Sequence, residues 1–298
     1  TPPPAPTPAP APTPPPAPTP APVPTPPTSS VPDQARKQGS SLVEGLSKAG
    51  ASKTKIEPKD ASQLNLESID NIQINQVKPH DFKSFSMKQI GVLRPKTISG
   101  LNSKQIKEIS PKALAALSST QVKALKPEAI QGLQADQIDA LRPEVFRGFS
   151  SKHISGLSAG VLKALDRKQI KEIQPDAIAV FEKNQIKEIK PTTFKGLSAS
   201  QLSSFTPAAV GAFSPSQIKK ISPQAITGIS RDHVAAFEKA QVASITKRMV
   251  QAMTGEQLSG LSDDAITGLS KKQLKGFSND ALTNFNQDQI SAIQSAAI

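Results

Sequence analysis

From Ile69 onward an apolar residue recurs at every eighth position, through Val77, Phe85, Leu93 and Leu101 to Phe285 and Ile293, 29 successive hits without insertion or deletion. A second apolar residue stands three places before each of them, as Ile130 before Leu133, Ile138 before Leu141, Ile226 before Ile229 and Leu274 before Phe277. Residues three apart share one helical face, so these pairs are the expected core. In a representative octad, SPQAITGI (222–229), position 1 is Ser, positions 2 and 4 are Pro and Ala, and position 7 is Gly. Elsewhere position 1 is often Ser, Thr, Asp or Asn, position 4 Ala or Gln, and position 7 Gly, Ala or Ser. A capping residue followed by Pro starts a helix, and Gln at position 4 completes a capping box, as in Ser198–Gln201 and Ser270–Gln273. Each octad is therefore expected to be a helix of five or six residues and a tight turn.

Prolines at 79, 95, 111, 127, 143, 175, 191, 207, 215 and 223 exclude one continuous helix. A β-solenoid is the competing architecture, but it favours β-branched residues two apart, whereas Ala, Gln, Lys and Leu dominate here. The expected fold is a mainly α solenoid, or superhelix, of short helices over 62–298. A lone octad cannot bury its apolar pair, so stability should pass between neighbours, with the small position 7 admitting a second backbone.

A slower rhythm overlies the octad. Pro-type octads alternate with octads carrying Gln at position 4, so that Gln73, Gln89, Gln105, Gln121 and Gln137 lie sixteen apart. That phase slips by one octad near His233, after which Gln241, Gln257, Gln273 and Gln289 carry it. The alternation suggests a pair of octads as the layer. The array runs to the last residue without a polar cap, a pattern that invites end-to-end or lateral self-association.

The alternation of P-x-A-[IF]-x-G-[LF] with x-x-x-Q-[IV]-x-A-[LI], clearest in residues 110–125 and 126–141, resembles octapeptide arrays of long secreted or cell-surface proteins. That resemblance implies an extracellular, cell-surface or cell-envelope location and a spacer or adhesive role, with no catalytic residues to carry over.

Composition separates a different segment at the N-terminus. Of 28 prolines, 17 lie in the first 32 residues, so 1–33 is expected to be a proline-rich extended or disordered stalk: either a disordered linker or a semi-rigid polyproline II spacer reaching roughly 80 Å, whose threonines could carry sugars. Residues 34–61 are polar, a linker or N-terminal cap with one short helix near 41–49. The chain opens on Thr1 without a signal-peptide pattern, as a processed form or a fragment would. It contains no Cys, Trp or Tyr, which removes disulfides, cysteine zinc sites and thiol catalysis. No apolar run is long enough for a transmembrane helix.

The net charge of +12 predicts a salt-sensitive attraction to polyanions, such as an anionic polysaccharide or surface polymer. Position 6 varies (Lys123, Gln131, Asp139, Arg147, Ser155), as a base-reading code would, but aromatic stacking partners are missing, so specific nucleic-acid binding is not expected. His153 and His233 replace Gln or Ala at position 4 and read as capping or surface imidazoles; His80, at position 3, should face solvent. The repeated QIKEI places Lys107, Lys171 and Lys187 beside Glu108, Glu172 and Glu188, charged turns or a charge ladder to a neighbouring protomer. No nucleophile, base and orienter form a motif, and no phosphate-cradling loop follows a strand. The sequence thus predicts a non-enzymatic structural protein without cofactor or metal, a filament subunit or stalk; the alternative is an adhesin binding glycan, matrix or a partner protein.

Overall fold

The computed structural model describes residue 66 and residues 69–297. The stalk expected at 1–33 and the linker expected at 34–61, with its short helix, lie outside the described residues. Within them the chain is a solenoid of short helices, and no strand occurs among the described residues, so the β-solenoid alternative is not supported.

Each octad follows its local chemistry. In Ser103–Glu108 the helix fills positions 2 to 7; in Pro127–Ile130 it fills positions 2 to 5 and Gln131 continues the right-handed backbone. Positions 8 and 1 are extended, as Val77 (φ −63°, ψ 131°) and Lys78 (φ −63°, ψ 139°) illustrate, and these two residues turn the chain into the next helix. Ser110, Thr206 and Ser222 accept the N–H three residues on, ahead of a Pro at the first helical position. Where position 1 is Lys or Arg there is no side-chain cap, and the two arginines serve another octad: Arg94 donates to Ile69 O (3.0 Å) and Arg142 to Leu117 O (3.2 Å). The three octads with Phe at position 5, Phe82, Phe146 and Phe194, form 3₁₀ rather than α turns.

The layer is not the expected pair of octads. Helices pack on helices twenty-four residues away: Ser119–Ala124 on Pro143–Gly148, Pro143–Gly148 on Arg167–Glu172, and Arg167–Glu172 on Pro191–Gly196. Each octad thus sits on the octads three before and three after it. A step of three is odd, so where the alternation is regular a Gln-type octad packs between Pro-type octads, as 118–125 does between 94–101 and 142–149; the proline-free 158–165 stands beside 134–141 and 182–189. The alternation fits complementary surfaces together and does not mark a two-helix layer.

The core runs unbroken along the array. Ile130, Leu133, Ile138, Leu141, Ile226 and Ile229 are buried, whereas Leu274 and Phe277, towards the C-terminal end, are half-buried. Burying a side chain of this size contributes about 1.5–3 kcal/mol, and each octad supplies two. Position 7 is where backbones meet: a Cβ on Gly132 would overlap Ser103 O, and one on Gly196 would overlap Arg167 O. Helix Gln287–Ala297 runs on through Ile293 without a turn, because Gln294 and the Ser-Ala-Ala after it bring neither a strong cap nor Pro.

Candidate functional site

The polar residues that sequence reading assigns to helix starts do a second job inside the solenoid. Gln105 Oε1 accepts the Asn102 N–H (3.0 Å), closing its capping box, while Nε2 donates to Ile74 O (2.9 Å) and Val77 O (2.8 Å) of the octad four before it. Gln201 repeats this with Ser198 N, Ile170 O and Ile173 O. A primary amide has an acceptor and two donors, and here all three are used while the side chain is buried. The rung is missed by sequence reading because a capping box accounts for Gln without invoking its free NH₂.

Other residue types make the same bond. Thr97 and Thr193, at position 4 of Pro-type octads, donate to Ile69 O and Leu165 O (2.7 Å each), again twenty-eight residues back. His153 and His233 also cap their helices and are buried, at 2% and 5% exposure, so the surface reading of these imidazoles is corrected. Nδ1 of His153 accepts from Ser150 N–H (3.2 Å), which requires Nε2 to carry the proton, and Nε2 lies 2.9 Å from Leu125 O. His233 does the same between Ser230 N and Phe205 O. Both nitrogens of each ring are therefore engaged, and no buried side-chain nitrogen or oxygen among the described residues lacks a partner. His80 is exposed and pairs with Asp81 (2.9 Å).

The charged turns also pair along the same chain. Glu108, Glu172 and Glu188 of the QIKEI repeats reach Lys83 (3.2 Å), Arg147 (2.6 Å) and Lys163 (2.9 Å), each twenty-five residues earlier. Position 6 of one octad thus meets position 7 of the octad three later. Such exposed pairs contribute about 0.2–1 kcal/mol each.

The remaining concavities are shallow grooves between stacked octads, such as one lined by Phe181, Lys183, Asn184, Thr206 and Ala209. Among the described residues no three His, Cys, Asp or Glu side chains are grouped to hold a metal ion, and no helix is long and apolar enough to cross a membrane. Comparison of the chain with protein-family models and with curated proteins finds no match.

Proposed function

We propose that the array is a non-enzymatic structural element of the cell surface or extracellular space, a rigid rod serving as filament subunit or stalk. The observation that carries this reading is how the octad spends its positions. Positions 4, 5 and 8, and most glycines at position 7, go into joints with octads three or four away, and the outward positions 2, 3 and 6 change from octad to octad without converging on a shared cleft. A chain joined in this way is stiff along its length at every repeat. The proline-rich composition of 1–33 and the resemblance to octapeptide arrays support a stalk presented outside the cell.

Negative-stain electron microscopy near physiological salt, with and without residues 1–33, tests the proposal. Rods of uniform length support a spacer, and fibres support a polymerising subunit. Compact particles with no long axis, or segments bent at random, contradict both.

A further inference from the structure

The basic residues look scattered when read at eight- or sixteen-residue intervals. Grouped by packing contact, they separate. Residues 86–229 form eighteen octads, which fall into three series whose members succeed one another at the twenty-four-residue contact step. One series is 94–101, 118–125, 142–149, 166–173, 190–197 and 214–221, and its helices touch in that order from Pro95–Ile98 to Pro215–Ile218. It carries twelve Lys or Arg against three Asp or Glu, a net charge of +9, while each of the other two series carries +1.

Position 6 of this series is a row of exposed cations: Lys123, Arg147, Lys171, Lys195 and Lys219. A cation at position 6 pairs with a glutamate three octads on where one is present, as Lys83 does with Glu108 and Lys163 with Glu188; outside the strip, Lys107 and Lys187 meet Gly132 and Ala212 instead. In this row only Arg147 has such a glutamate. The corresponding neighbours of Lys123 and Lys171 are Gly148 and Gly196, and that of Lys195 is Lys220, so no carboxylate neutralises them. Packed helices lie about 8–10 Å apart, so a charge recurs at close to the length of a disaccharide. Beside the row, Arg167, Lys190, Thr192 and Lys195 line a shallow groove with Asp139 and Asp166, whose donors and acceptors suit hydroxyl groups.

We infer that this row is a docking strip for an acidic polysaccharide, whose regularly spaced anions meet successive octads of one series. The class of partner follows from what the strip lacks. Phe146, Phe149 and Phe194 of these octads are buried and the chain has no Tyr or Trp, so unpaired bases would find no exposed ring to stack on. The strip requires only the fold; it exists whether or not chains assemble into rods or fibres.

The test compares two variants of the full chain with equal net charge, K123E/K171E/K195E/K219E on the strip and K107E/K112E/K152E/K183E on the other two series, titrated with dextran sulfate. The strip variant should lose roughly tenfold or more in affinity near 50 mM salt and the other variant less than about threefold, with wild-type binding falling steeply as salt rises. Neutral dextran should not bind. Equal losses in the two variants would overturn the strip in favour of diffuse net charge. Poly(U) binding more tightly than dextran sulfate at equal charge would overturn the polysaccharide. Circular dichroism monitors the fold, and Lys→Gln versions of both sets decide the matter should charge reversal unfold either.

Discussion

The regular array before His233 and the stretch just after it solve the same joint with different carbonyls. In 102–221 each rung glutamine returns to an octad of its own type, and Gln105, Gln137, Gln169, Gln201 and Gln217 donate to carbonyls thirty-one and twenty-eight residues back. Just after the phase slip, Gln241 and Gln257 return to Pro-type octads and donate thirty and twenty-eight back, to Gly211 and Phe213 and to Thr227 and Ile229, whereas Gln273, back on a Gln-type octad, donates thirty-one and twenty-eight back, to Val242 and Ile245. The bond to the position 8 carbonyl is common to both; the carbonyl thirty back, a longer third contact of Gln105 and Gln201 (3.3 Å each), becomes the second acceptor of Gln241 and Gln257. The invariant of the fold is therefore the extended residue that closes each octad, and the alternation of types is an adjustable feature laid over it. This is why the eight-residue period passes through the slip unbroken.

The largest expected effect comes from a charge placed at the boundary of the two regions. Ile226 is fully buried, and Ile226→Asp should cost about 4 kcal/mol or more. Because each octad touches octads three and four away, hydrogen exchange should rise over roughly 190–260 and stay slow near 106–141. Collapse of the whole array in one step would contradict neighbour-limited stability.

Glycines at position 7 sharpen the contrast. A Cβ on Gly228 would overlap Ala199 O, whereas on Gly276 it would meet Gln273 O at 2.9 Å and Lys247 O at 3.1 Å. Gly228→Ala should lower stability by about 3 kcal/mol and Gly276→Ala by about 1 kcal/mol in urea denaturation. Equal costs would mean that the closer backbone approach at Gly228 adds nothing to the cost.

Removing a rung costs less. Gln201→Ala leaves Ser198 N–H and two carbonyls without a side-chain partner and should cost about 2–3 kcal/mol, while His153→Gln, which keeps both bonds, should stay within about 0.5 kcal/mol. The smallest effect is a gain. Met249 is buried at position 4, where only its sulfur approaches Thr246 N (3.4 Å). Met249→Gln should close the box and reach back to Ile221 O, adding about 1 kcal/mol; a loss would show that the slipped region cannot seat a rung there.

Much of this fold is legible in the chain. The Ser-Pro starts, the Gln boxes and the paired apolar positions such as Ile130 and Leu133 each report a local rule, and the helices form where those rules place them. The packing partner is not legible, because an octad's own pattern says that it must be covered without saying by which neighbour. The regular spacing of Gln73, Gln89 and Gln105 points to a pair of octads, while the contacts step by three and the side-chain rungs by four. The cation row from Lys123 to Lys219 is hidden for the same reason: its period exists only once the step of three is known. The buried role of His153 is half legible, since its cap is local and its bond to Leu125 O spans twenty-eight residues.

That step of three is the central claim, and spin labels measure it directly in a chain without native cysteines. Labels introduced by Lys163→Cys with Glu188→Cys, where the native side chains pair at 2.9 Å, should show strong dipolar broadening. Labels introduced by Lys163→Cys with Ala179→Cys, sixteen residues apart, should show much less. Stronger coupling in the second pair would restore a two-octad layer and contradict the architecture described.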